Sequence, residues 1–263
     1  MKSIHDFYNA KISGKLITML TCYDATMAAL LNTSEIDAVL VGDSVAMVVY
    51  GYTSTIHATI DMMCQHIGAV RRGGPDLFIV GDMPFLTHRY EKTSALEAAG
   101  RLMTAGADAV KIEGLRGHEE TIAFLVQSGI PVMGHLGLTP QSVYQLGGYK
   151  VQGKTDTAAA IIETDAHTLE NSGCFALVLE CIPAPLASAI SQSLAIPTIG
   201  IGAGAGCDGQ ILVIDDMLGL TTAFTPRHVR RFLEGSTLVQ EAIQAYCNCV
   251  REKTFPSEKE SFL

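Results

Sequence analysis

Charge is scarce in this chain: Asp, Glu, Lys and Arg make up 17% of its 263 residues, against 48% apolar. That balance excludes a disordered chain, which lacks the apolar surface to offset the entropy of ordering. With 25 Gly and 9 Pro, usage is ordinary, which excludes a collagen-like or Pro-rich chain. No C-x-x-C pair occurs, and the cysteines at 22, 64, 174, 181, 207, 247 and 249 are scattered. They read as free, buried thiols of a reducing compartment, so a cytoplasmic location is expected. No run of 18 uncharged apolar residues is present, so no membrane span is expected. Residues 1–15 are polar, carry Lys2, Asp6 and Lys11, and lack the apolar stretch of a secretory signal. P-loop, zincin and G-x-S-x-G motifs are all missing. Basic residues are the minority sign: 27 acids against 18 bases leave a net charge of −9. A surface so acidic repels a phosphate backbone and argues against nucleic acid as a partner.

What the chain does have is a repeated alternation. Short apolar runs lie at residues 16–20, 38–41, 77–80, 109–112, 131–133, 175–179 and 197–201, with a weaker eighth near 218–220. The runs are continuous rather than alternating, as strands buried on both faces require. Ala-rich, helix-favouring stretches separate them, at 94–105, 119–128, 157–172 and 184–194. Strand–helix alternation implies right-handed βαβ units. Eight units average about 33 residues each, as in a (β/α)8 barrel of ~250 residues. The α/β alternative is an open, doubly wound sheet, kept in view by the weak eighth run. No composition break suggests a second domain, so residues 1–263 read as a single barrel domain with a short N-terminal extension. Residues 236–251 read as a final amphipathic helix and 254–263 as a polar tail.

In such a barrel the chemistry sits at the C-terminal ends of the strands. There the sequence places Asp43 and Ser44, then Asp82, then Lys111 and Glu113, then His135, then Glu180. Several carboxylates on one rim repel each other unless a cation compensates. Oxygen donors alone point to a hard divalent ion, Mg2+ first. Asp43 and Asp82 are the expected ligands, with Glu113 third or reached through water. Asp43 also suits the N-cap of a following helix. Lys111 and Glu113, two apart, share a face of their strand. Lys111 suits either a substrate carboxylate or a plain ion pair with Glu113. Glu180 ends an apolar strand, where desolvation would make it a better base, unless it faces bulk water. His135 reads equally as a structural, hydrogen-bonded residue. Gly204, Gly206 and Gly209 fit G-x-G-x-x-G, but the next residues form an apolar run rather than a helix opening, which argues against a nicotinamide site.

These residues carry a resemblance. The segments Met19-Leu20-Thr21-Cys22-Tyr23-Asp24, Val41-Gly42-Asp43-Ser44 and Val110-Lys111-Ile112-Glu113-Gly114 resemble the ketopantoate hydroxymethyltransferase family. So do the stretches 134–142 and 147–153, Leu179-Glu180-Cys181-Ile182-Pro183, and the glycine run at 200–204 with Asp208-Gly209-Gln210. They keep family order over nearly the whole chain. The resemblance implies a TIM barrel of the phosphoenolpyruvate/pyruvate type and a homo-decamer. It implies Mg-dependent transfer of a hydroxymethyl group from 5,10-methylenetetrahydrofolate to 3-methyl-2-oxobutanoate, through a metal-stabilised enolate, in pantothenate and coenzyme A biosynthesis. It implies Asp43, Asp82 and Glu113 around Mg2+, and Asp43, Ser44, Asp82 and Lys111 on the 2-oxo acid. Glu180 would be the base, and His135 a polar support. Cys22, Val45-Ala46 and Leu115 depart from the family's usual residues without removing any of these groups.

Overall fold

Strands form at seven of the eight apolar runs, and the sheet closes on itself. The computed structural model describes residues 3–221 and 226–262. The strands are β1 (Ile17–Thr21), β2 (Ala38–Val41), β3 (Ile79–Asp82) and β4 (Ala109–Glu113). They continue with β5 (Val132–Gly137), β6 (Ala176–Glu180), β7 (Thr198–Ile201) and β8 (Gly209–Leu212). Every neighbouring pair is parallel, and β8 pairs with β1, so the sheet is a closed eight-stranded barrel in chain order. The open, doubly wound sheet is thereby excluded.

The eighth strand is not where the sequence suggested. Residues 218–220 come after a single helical turn, Ile214–Met217, and form no strand. The strand at Gly209–Leu212 is disguised by its first two residues. Gly209 pairs with Ile17 of β1, and a Cβ there would sit 2.5 Å from the Ile17 carbonyl oxygen. The closing contact of the barrel therefore needs the residue that reads most like a loop. Gln210 points outward, its Nε2 donating to Gly204 O at 2.9 Å. The late glycine run is a strand-to-strand connection, and it leads into β8 rather than into a dinucleotide-binding helix.

Two compact units divide the chain, Met1–Leu212 and Val213–Leu263. The first is the barrel. Helices start at polar caps: Asp24 accepts from Met27 N, Thr59 from Met62 N and Thr155 from Ala158 N. The N-terminal helix Ile4–Ser13 is more than an extension. Its Phe7, wholly buried, meets the rings of Phe78 and Phe175 at 5.2 and 5.1 Å, just ahead of β3 and β6. With Met19, Leu40, Val80, Met133, Val178 and Ile211 these rings fill the lower barrel. The second unit carries an amphipathic helix, Gly235–Arg251, one residue longer at its start than the sequence suggests. Among the described residues no helix is long and apolar enough to cross a membrane.

Candidate active site

A strand turns alternate residues to the same side, and here that periodicity builds the site. In β3, Val80 packs into the core and Asp82 comes two residues later. In β4, Ala109 is followed at the same spacing by Lys111 and Glu113, and in β5 Met133 by His135. In β6, Ala176 and Val178 lead to Glu180. The lower layers of the barrel are thus apolar and the top layer is charged. Register then sets neighbours: Asp82 lies beside Lys111, Glu113 beside His135, and Glu180 beside Gly137. Gly137, with φ +95°, is required there, since a Cβ would lie 2.2 Å from Glu180 O.

The groups are buried and in contact. Asp43, Asp82, Lys111, Glu113 and His135 are each 2–4% exposed. Lys111 Nζ lies 2.7 Å from Asp82 Oδ1, 3.2 Å from His135 Nδ1 and 3.8 Å from Glu113 Oε1. Its main protein partner is therefore on the neighbouring strand, rather than the Glu113 of the alternative ion-pair reading. His135 stands 3.6 Å from Glu113 Oε1 through Nδ1 and 3.2 Å from Glu180 Oε2 through Nε2. Glu180, its side chain 16% exposed, is the member that keeps contact with solvent. Asp43 does not cap the short helix Val45–Val48; its Oδ2 accepts from Gln141 Nε2 at 2.9 Å. Ser44 Oγ and Tyr23 OH are hydrogen-bonded at 2.9 Å.

Electrostatics are set by that geometry. Burial favours the neutral Lys111 amine, but Asp82, Glu113 and Asp43 outweigh it and lift its pKa above the usual lysine value. Burial, then Asp82 and Glu113, hold the Asp43 carboxyl well above the usual range. Burial also raises Asp82, against the pull of Lys111. Glu113 is pushed up by burial, yet His135 and Lys111 overcome this and leave it below its ordinary value. His135 is pushed down by burial and Lys111, but the carboxylates of Glu113 and Glu180 bring it up to about 9. Whether His135 is charged or accepts at Nδ1 from Lys111, Nε2 carries a hydrogen; it lies 3.2 Å from Glu180 Oε2, without the alignment of a hydrogen bond. Tyr149, on the loop after β5, is largely exposed; partial desolvation, then Glu180, Asp43 and Glu113, raise its phenol pKa.

The donor set suits a hard divalent cation. Three buried carboxylates face one ammonium and one imidazole, and the strain of the imbalance falls on Asp43. Asp82 Oδ1 is buried and accepts no well-aligned hydrogen bond, although Lys111 is close. Among the described residues no three His, Cys, Asp or Glu side chains form a ready-made metal cage. Mg2+ does not require one, because it is usually held by one or two carboxylates with waters and substrate oxygens. Asp43 and Asp82 fit that role. Glu113 is the more engaged, its Oε2 accepting from Gln141 N at 3.0 Å.

Every residue expected from sequence is in this layer or on its rim. Two that matter were missed. Tyr23 holds Ser44, and Gln141 touches Asp43, Glu113 and the Met83 carbonyl. Both lie inside segments that carried the family resemblance; nothing in their residue types announces a role.

Comparison with known proteins agrees over the full length. The family model described as ketopantoate hydroxymethyltransferase matches residues 1–258. A 3-methyl-2-oxobutanoate hydroxymethyltransferase from Legionella pneumophila is 52% identical over 260 residues, covering 98% of this chain and 99% of that one. One of the same name from Coxiella burnetii is 50% identical over 252 residues, covering 95% of each. Among solved structures, 2,3-dimethylmalate lyase, a member of the PEP mutase/isocitrate lyase superfamily, superposes with TM-score 0.62 at 16% identity. The alignment covers 100% of this chain and 92% of that one. Phosphonopyruvate hydrolase, in complex with oxalate and Mg++, gives 0.64 at 12% identity, covering 99% and 93%. These two likenesses speak for the fold alone.

Proposed function

The chain belongs to the ketopantoate hydroxymethyltransferase family, and on that premise we propose that it is a 3-methyl-2-oxobutanoate hydroxymethyltransferase. In this reading it takes the one-carbon unit from 5,10-methylenetetrahydrofolate and forms ketopantoate on the route to pantothenate. The observation that carries the reading is the charged top layer: a buried ammonium and two aspartates beside a solvent-facing glutamate, joined to it through His135. A 2-oxo acid presents a carboxylate and a keto oxygen side by side. Lys111 offsets the carboxylate charge, and the Ser44 hydroxyl, oriented by Tyr23, offers it a hydrogen bond. Asp43 and Asp82 would hold Mg2+, with Glu113 behind them. Bound there, the ion supplies a Lewis acid that draws electron density from the keto oxygen and makes the adjacent C3–H more acidic.

Glu180 then removes that proton. Its side chain is the most exposed of the group, and the nearby His135 imidazole, 3.2 Å away, steadies the charge it carries before the transfer. The C3 carbon gains the electron pair of its C–H bond and forms a C–C bond to the one-carbon unit. The methylene carbon arrives bonded to two folate nitrogens and to no oxygen. Both C–N bonds break, water supplies the hydroxyl oxygen and leaves its two protons on the nitrogens of tetrahydrofolate, and the new alkoxide takes the proton that Glu180 removed.

The test monitors the C3 proton of 3-methyl-2-oxobutanoate by NMR in heavy water, with Mg2+. Glu180→Gln is expected to slow exchange and turnover by roughly 10²–10⁴-fold, with oxo-acid binding retained in calorimetry. Near wild-type exchange in that variant would remove Glu180 from the role of base.

A further inference from the structure

Gln141 ties together three strand ends from a fourth. It sits in the turn after β5, is 5% exposed, and is not used by the proposed reaction. Its Nε2 donates to Asp43 Oδ2 after β2 and to the Met83 carbonyl after β3, both at 2.9 Å. Its backbone N donates to Glu113 Oε2 at the end of β4, at 3.0 Å. Asp82 is handled alike: its Oδ2 accepts from Asp43 N at 3.0 Å.

A pattern emerges when the oxygens are taken one by one. Each of the three carboxylates has one oxygen held by a protein N–H. Of the other three oxygens, Asp82 Oδ1 accepts no well-aligned hydrogen bond, and Asp43 Oδ1 and Glu113 Oε1 take none from Gln141. Asp82 Oδ1 faces Lys111 at 2.7 Å, and Glu113 Oε1 has Lys111 and His135 at 3.8 and 3.6 Å. A carboxylate oxygen that accepts an N–H keeps a second lone pair, but it is the weaker donor, so the carboxylate meets a cation first through its other oxygen.

We infer that Gln141 selects the metal: by holding Asp43 Oδ2 it makes Asp43 a one-oxygen ligand and so favours a small octahedral ion over Ca2+. Mg2+ and Mn2+ take six ligands in near-octahedral array. Ca2+ accepts six to eight and commonly binds both oxygens of a carboxylate. Clamped carboxylates therefore suit the small ion and deny the large one its usual coordination. This rests on the reading of Asp43 and Asp82 as cation ligands, and Gln141 acts through Asp43, as a positioning residue.

Gln141→Met separates the contributions, because it removes the side-chain donor and leaves the backbone N–H on Glu113. Mn2+ binding is read by electron paramagnetic resonance on the full chain, with Ca2+ as competitor, and folding is checked by circular dichroism. In the wild type, Ca2+ at equal concentration should displace little Mn2+. In the variant, Mn2+ affinity should fall by roughly 10–100-fold, as when an outer partner of a ligand is lost. Ca2+ should lose less, so the Mn2+/Ca2+ preference should shrink by about tenfold or more. Gln141→Glu, equal in size and without the donor, should shift the preference the same way. A folded variant that is less stable but keeps the wild-type preference would make Gln141 a structural strut and overturn the inference. Equal Mn2+ and Ca2+ affinity in the wild type would overturn it without any variant. No Mn2+ binding by the wild type, alone or with 3-methyl-2-oxobutanoate, would overturn the metal reading and this inference together.

Discussion

Lys111→Met is the perturbation that most directly tests how the charged layer is held. Lys111 is the one lysine in the layer, 4% exposed and 2.7 Å from Asp82. Methionine keeps much of the side-chain volume and removes the charge. Breaking a buried pair by deleting one partner costs about 3–5 kcal/mol, because the remaining charge is left uncompensated. For a barrel of this size that corresponds to a fall in Tm of roughly 10 °C. The sign of the pH dependence is fixed by the shifts. The wild-type lysine has a raised pKa, so its stabilisation is intact below the ordinary lysine value and fades only as pH rises through the folded one. In the variant, Asp82 and Asp43 lose the cation that lowers them, and the folded state holds protons more tightly than the unfolded chain. Its stability therefore recovers as pH falls toward the carboxylate range. The deficit should be full at pH 8 and visibly smaller at pH 5, and added Mg2+ should restore part of it at pH 8. The chain has no Trp, so denaturant unfolding is monitored by circular dichroism. A deficit under about 1 kcal/mol, the size of an exposed pair, and equal at both pH values, would refute this account of the layer.

Two further outcomes test other parts of the structure. Asp43 holds its proton to higher pH than an ordinary carboxyl, so cation binding should expel it. Calorimetric Mg2+ heats should then vary with buffer ionisation enthalpy, and affinity should rise with pH; heats independent of buffer would show Asp43 already ionised. At the lower barrel, Phe7→Ala should cost about 3–5 kcal/mol by opening a cavity between Phe78 and Phe175. Unchanged thermal unfolding would mean the N-terminal helix is not part of the barrel's core.

Seven of eight strands were readable as apolar runs: β2 to β7 are buried on both faces, and β1, whose Thr18 is exposed, still carries enough apolar residues to read as one. The eighth was not, because Gly209 must let β8 approach Ile17. The candidate site was readable for a related reason. A charged residue at the end of an apolar run has few places to go except the rim of the barrel, which brought Asp82, Lys111, Glu113, His135 and Glu180 forward. Their pairing was not readable. Spacing left Lys111 to a substrate carboxylate or to Glu113, whereas the β3–β4 register sets it against Asp82.

What the sequence by itself determined is what depends on local periodicity: a repeated strand–helix unit, and which side chains share the inner face of each strand. The tertiary structure decided which oxygen of Asp43 and of Glu113 is held by an N–H. That depends on Gln141 meeting groups 98 and 28 residues away in the chain. Contacts at such separations exist only once the barrel has closed and brought the ends of β2, β3, β4 and β5 to one rim.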